Sequence, residues 1–206
     1  MTTIVVTGTD TDVGKTVFAA ALAGAMGAFY WKPIQAGLED GSDAATVAAL
    51  GVAADHILAE AYRLTTPCSP HRAAELDKIT IDPDRLVPPR QEGWLVVEGA
   101  GGALVPVTRT LLFADLFARW GHPVVIVART GLGTINHSLM TIEALRTRGV
   151  AIHGIAFIGD REEDSEATIA ALGRVRRLGR LPYLPKLTAE TLRAAFLDGF
   201  SVDDFR

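Results

Sequence analysis

Thr7-Gly8-Thr9-Asp10-Thr11-Asp12-Val13-Gly14-Lys15-Thr16 lies between a short apolar run, Ile4-Val5-Val6, and an alanine-rich helical run. A strand that stops, a turn whose backbone N–H groups point inward and a helix opening near Gly14 together form an anion cradle. Lys15 then reaches terminal phosphates, and the Thr16 hydroxyl offers a ligand to the magnesium that accompanies them. A phosphate loop of the usual spacing has glycine five residues before its Gly-Lys-Thr. Here Thr9 holds that place and Gly8 stands one position further back, so something besides phosphate shapes the loop.

Outward from this loop, short apolar runs trade places with longer helical segments. Strands are expected at 3–7, 28–32, 94–98, 123–128, 152–158 and 179–184, and helices at 16–26, 43–50, 111–120, 135–148, 165–177 and 189–197. Such alternation predicts an α/β fold of three α/β/α layers around a mostly parallel sheet, of the P-loop NTPase kind, with residues 1–206 as a single domain. Sheets of this kind take ligands at the carboxyl ends of their strands. Residues 59–90 break the rhythm with the Pro-rich Thr66-Pro67-Cys68-Ser69-Pro70-His71 and a later Pro88-Pro89. That excursion is either a surface insertion or a loop that builds part of a site.

The 206 residues are 49% hydrophobic and 21% charged, enough to bury a full core. A net charge of −4 argues against nucleic-acid binding. The local basic cluster Arg174, Arg176, Arg177 and Arg180 reads as a solvated helix face, and Glu162-Glu163-Asp164 as a helix N-terminus. One cysteine, Cys68, cannot form an internal disulfide. No signal segment or membrane-length apolar stretch is visible, so a cytoplasmic protein is expected.

Strand ends carry the remaining chemistry. Lys32, in Trp31-Lys32-Pro33, either clamps a transferring phosphoryl group or simply ends a strand at the surface. Glu98, running into Gly99-Ala100-Gly101-Gly102, is placed where a nucleotide-bound magnesium finds its carboxylate, or caps a turn. Asp43, after Gly41-Ser42, suits a helix start and a metal alike. Gly131-Leu132-Gly133-Thr134-Ile135-Asn136-His137 opens another helix and either holds a second anion, such as a substrate carboxylate, or is an ordinary turn. Cys68, His71 and His137 read as structural, and no zinc spacing or catalytic triad is present.

Taken together, the residue 8–16 loop, Lys32-Pro33, Ser69-Pro70-His71, Val97-Glu98-Gly99-Ala100-Gly101-Gly102 and Ile135-Asn136-His137 resemble, in order and spacing, the dethiobiotin synthetase family. The resemblance implies a magnesium- and ATP-dependent ring closure on 7,8-diaminononanoate. One amine takes up CO2 as a carbamate, the carbamate attacks the γ-phosphate, and the second amine displaces phosphate from the mixed anhydride. It implies Lys32 and Lys15 as catalytic lysines, and Thr16, Asp43 and Glu98 as magnesium ligands. Asp12, Val13, Gly14, Lys15, Thr16, Val17, Asp43, Glu98, Gly99, Ala100 and Gly101 would contact the nucleotide, with Ile158, Gly159, Leu181, Pro182 and Tyr183 around its base. Thr11, Asp12, Lys32 and Ala36 would line the diamine site, completed by Gly133, Thr134 and Asn136 across a homodimer interface.

The chain departs from the family at two places. Ala36 stands where a hydroxyl residue is frequent, and Ile158-Gly159 where adenine-reading members carry an asparagine. Isoleucine packs on a base without hydrogen-bonding to it, so another nucleoside triphosphate is a candidate beside ATP. Two other readings share this kind of nucleotide-binding domain: an amide-forming synthetase of the cobyrinic acid diamide synthase type, and a partitioning or positioning ATPase switch. The first normally needs a further glutaminase domain. The second usually has an early loop lysine where Thr9-Asp10-Thr11 stand, and a basic or amphipathic anchor.

Overall fold

In the computed structural model, which describes residues 2–39 and 41–206, seven strands form one sheet in which every pairing is parallel. In chain order the elements are β1 (Thr2–Gly8), α1 (Lys15–Met26), β2 (Phe29–Trp31), β3 (Ile34–Ala36), α2 (Asp43–Ala49), β4 (Ile57–Leu58), β5 (Tyr62–Leu64) and α3 (Pro70–Leu76). There follow β6 (Trp94–Gly102), β7 (Pro106–Thr108), β8 (Leu111–Leu112), α4 (Phe113–Trp120), β9 (Val124–Arg129), α5 (Thr134–Arg146), β10 (Ile152–Ile158), α6 (Glu163–Gly173), β11 (Arg177–Leu181) and α7 (Ala189–Gly199). The sheet runs β11-β10-β9-β1-β6-β2-β4, so the chain leaves β1 toward one edge and later returns to build the other. The crevice at that reversal is where open α/β sheets hold ligands, and the 9–14 loop sits on it.

Alternating side chains of the strands supply two cores. Val5, Trp31, Leu95, Val97, Ile126 and Phe157 face one layer, where Phe113, Phe117, Ile142 and Ile169 meet them. Ile4, Val6, Tyr30, Val96 and Val127 face the other, against Phe18 and Leu22 of α1 and Phe196 of α7. Burial on both faces explains why strands such as Val124–Arg129 read as unbroken apolar runs. Phe18 is fully buried among Phe196, Phe200 and Phe205. This packing ties the helix behind the phosphate loop to the C-terminal end of the chain.

Four expectations change. First, β6 does not stop at Glu98: it continues to Gly102, pairing Val6 with Glu98 and Gly8 with Gly102. Gly99-Ala100-Gly101 therefore form a bulge opposite Thr7 rather than a turn. Gly99 passes so close to Phe117 that a Cβ there would lie 3.0 Å from the ring, and Gly101 has φ 64°. Second, residues 111–112 form a hairpin strand with β7, and the helix begins at Phe113. Third, the helix expected over 165–177 ends at Gly173, and Arg177 starts a strand.

Fourth, the arginine cluster is no helix face. Arg176 pairs with Asp204, while Arg177 and Arg180 converge on the fully buried Glu166. The acidic Glu162-Glu163-Asp164 does open α6, as expected. Residues 59–90 fold inward through β5, which pairs with β3, and through α3. Pro67, Cys68, Ser69 and Pro70 line the same cleft as Lys15 and Lys32, which decides between the two readings of that excursion.

Candidate active site

The 9–14 loop owes its shape to backbone conformations that few residues tolerate. Gly14 (φ 87°) and Asp12 (φ 55°) are left-handed, the latter a conformation aspartate accepts more readily than most side chains. Gly8 is required for another reason: a Cβ there would lie 2.8 Å from the Asp10 carbonyl oxygen and 2.9 Å from Lys15 Cδ. Gly8→Ala should therefore force the loop open and weaken nucleotide affinity by roughly tenfold or more, equivalent to about 1–3 kcal/mol of overpacking. Calorimetric titration with ADP measures it, and unchanged affinity would refute the close-approach argument.

Lys15 opens α1 and folds back across the loop, donating from Nζ to the Asp10 carbonyl at 2.9 Å. Burial lowers its pKa, partly opposed by Glu98. Beside it the Thr16 hydroxyl stands 2.7 Å from Glu98 Oε1 and 3.1 Å from Asp43 Oδ1. Lys32, just beyond β2, pairs with Asp43 and lies 3.2 Å from Glu98 Oε1. Burial would lower the Lys32 pKa, yet Glu98 and Asp43 outweigh it and hold the ammonium above its ordinary value. The surface-lysine reading of Lys32 fails, because the residue is only 4% exposed.

Each carboxylate has a further support. Tyr30 donates its hydroxyl to Glu98 Oε2 at 2.8 Å. Burial, with Glu98 adding to it, pushes the phenol well above its usual pKa, so it remains a donor. On the other side the Asp43 N–H donates to Gln35 Oε1 at 3.0 Å, and Ser42 caps α2 by accepting from the Ala45 N–H. Sequence reasoning missed both Tyr30 and Gln35. Tyr30 looks like one more apolar strand residue, and only its diagonal neighbour on the adjacent strand reveals its partner.

The cleft around these groups encloses about 900 Å³. Thr11, Asp12, Gly14, Val17, Ala36, Ala100 and Gly101 line it with the lysines and carboxylates. A smaller hollow of about 250 Å³ opens on the other side of Gly14, among Val13, Arg129, Ile158, Leu181, Pro182 and Tyr183. Arg180 donates to the Gly159 carbonyl at 2.8 Å, and Gly159 N–H donates to Leu181, so buried Glu166 anchors this turn through Arg180. Sequence reasoning missed Arg129, which closes β9 two residues before the Gly131 turn and so had the strand-end position as its signal.

Gly133, Thr134 and Asn136 stand outside both hollows. Gly133 (φ 90°) precedes α5, and Thr134 is buried with its hydroxyl donating to the Arg129 carbonyl. The Asn136 amide turns to Met140 along its own helix, and neighbouring Leu132 is fully exposed. His137 Nδ1 lies 3.7 Å from Asp10 Oδ2, which sets this turn beside the phosphate loop. Among the described residues no cluster of three or more histidine, cysteine or acidic side chains is placed to hold a metal by itself, and no helix is long and apolar enough to cross a membrane.

Residues 2–191 match the family model described as "AAA domain". The chain is 68% identical over its full length, and over the full length of its relative, to the "ATP-dependent dethiobiotin synthetase BioD" of Novosphingobium aromaticivorans. It is 61% identical, again end to end, to the protein of the same name in Sphingopyxis alaskensis. To that of Nitrobacter hamburgensis it is 63% identical, covering 99% of this chain and 97% of the relative. Among solved structures, the MinC:MinD cell division complex of Aquifex aeolicus superposes with a TM-score of 0.53 at 13% identity, over 95% of this chain and 86% of the other. A ParA family ATPase from Chlorobium tepidum gives 0.52 at 13%, over 98% and 91%. At such identities these two structures show the shared P-loop fold alone.

Proposed function

The chain belongs to the ATP-dependent dethiobiotin synthetase family, and from that premise we propose how its cleft performs the ligase reaction on 7,8-diaminononanoate, CO2 and a nucleoside triphosphate. The observation that carries the reading is the convergence of Lys15, Thr16, Lys32, Asp43 and Glu98 on one cleft beside the opening of α1. The loop N–H groups and Lys15 receive the phosphates. The hard oxygens of Thr16, Asp43 and Glu98 suit magnesium, which would neutralise phosphate charge when bound. That donor set, with only two carboxylates, would leave phosphate oxygens and water to supply the ion's other ligands.

Carbamate formation needs a neutral amine and no protein nucleophile. Phosphoryl transfer needs positioning and charge neutralisation. Lys32 supplies the fixed positive charge where the carbamate oxygen meets the γ-phosphate, its ammonium kept charged by the two carboxylates. Thr11 and Asp12 line the junction between nucleotide and diamine, which accounts for a loop whose side chains do more than surround phosphate. The fully exposed Leu132 and the 131–136 turn suit a homodimer in which the turn closes the cleft of a second copy and Gly133, Thr134 and Asn136 face the substrate carboxylate.

Base selection rests on the smaller hollow. Ile158 and Leu181 bury the base and Tyr183 offers a face to stack on, while the Ile158 and Leu181 carbonyls already accept from Thr130 and Gly159. Release of phosphate in the presence of magnesium and bicarbonate should require the diamine, with the cyclic urea found by mass. Replacing ATP by the other triphosphates should lower kcat/KM by no more than about tenfold, since apolar contact discriminates weakly. Diamine-independent hydrolysis would favour a nucleotide switch instead. A preference for adenine above a hundredfold would refute the base-site reading.

A further inference from the structure

We propose that Tyr30 is a positioning residue that fixes the orientation in which the Glu98 carboxylate presents an oxygen to the nucleotide-bound cation, an inference that rests on the magnesium site proposed above. Tyr30 lies opposite Val96 in the β2–β6 register, and Glu98 is two residues further along the same face of β6. The phenol therefore reaches diagonally to the carboxylate. Its hydroxyl engages Oε2 at 2.8 Å, whereas Thr16 and Lys32 engage Oε1 at 2.7 and 3.2 Å. Tyr30 and Glu98 are each 0% exposed, so no solvent can substitute for that bond.

The division of labour between the two oxygens is the point. A carboxylate on a two-carbon stem can rotate about its last bond and turn its plane away from the cleft. With Oε2 held from within the sheet, Oε1 is the atom left toward Thr16 and the cleft. Tyr30 itself does not line the cleft, and its ring belongs to the core that packs on α1. It acts on the reaction only through Glu98. Partners that orient a ligating carboxylate in this way are commonly worth about 10–100-fold in metal affinity or activity.

Tyr30→Phe keeps the ring and removes the bond. Calorimetric titration of the full-length protein with ADP, with and without magnesium, and steady-state turnover against magnesium concentration test it together. The variant should need about tenfold more magnesium for half-maximal turnover and bind MgADP about tenfold more weakly, with magnesium-free ADP affinity unchanged. Equal magnesium dependence in the two proteins would overturn the proposal. So would a parallel loss of affinity with and without magnesium, which is what general loosening of the core produces. If the unsubstituted protein itself bound ADP equally with and without magnesium, the cation site would fall first, and the inference with it. Circular dichroism and thermal unfolding verify that the Tyr30→Phe variant is folded.

Discussion

Lys32→Ala should lower turnover by at least about 10²-fold while the protein stays folded, because it deletes the charge that we propose acts on the transferring phosphoryl group. The fold should survive since neither carboxylate is left without support. Glu98 keeps the Tyr30 and Thr16 hydroxyls, and the Asp43 side chain is 31% exposed and can turn to water. Single-turnover phosphate release at saturating diamine is the decisive readout, with circular dichroism and ADP titration verifying fold and nucleotide binding. Near-normal release would remove Lys32 from the catalytic machinery and leave it as an internal counter-ion.

Glu98→Ala should lose activity on a similar scale, about 10²–10³-fold, but it should also destabilise the protein. Here the lost group is fully buried and serves three partners at once. Lys32 is left with a single, partly exposed partner, and the Tyr30 hydroxyl is left buried with nothing to donate to. Breaking a buried pair in this way costs about 3–5 kcal/mol, which for a chain of this size lowers Tm by roughly 6–20 °C. Thermal unfolding monitored by circular dichroism measures the shift. A Tm within a degree of the parent would mean that the carboxylate is not the electrostatic hub that its contacts describe. The contrast between the two variants separates a residue used for chemistry from one used for chemistry and cohesion.

The sequence made the fold legible where one layer of physics sufficed. Residues 124–128 and 155–158 read as strand cores because burial on both faces demands unbroken apolar runs, and the 16–26 helix because it follows the loop directly. That the lysines, Thr16, Asp43 and Glu98 meet in one cleft was legible because they sit at predictable strand and helix ends. What escaped was decided between elements. Gly99-Ala100-Gly101 looks like a turn, and only pairing with β1 on its far side turns it into a bulge. The arginines after Gly173 look like a helical stripe, yet Glu166 draws Arg177 and Arg180 into a strand. Tyr30 meets Glu98 from a neighbouring strand far away in sequence, and Gln35 meets the Asp43 N–H across a loop, so no strand or helix period marks either.

The place of β1 in the sheet has a consequence for the order in which the molecule can assemble. It precedes both of its partners in the chain, yet its pairings are with residues 94–102 on one side and 124–127 on the other. The Thr9 N–H that anchors the start of the phosphate loop donates to the Val127 carbonyl. A nascent chain therefore carries the 9–14 loop unframed until residue 127 has been made. Non-local closure of this kind is slow compared with helix formation. A segment made before both of its partners thus acquires its shape only after them, and competence to hold a nucleotide arrives as a late event in biogenesis.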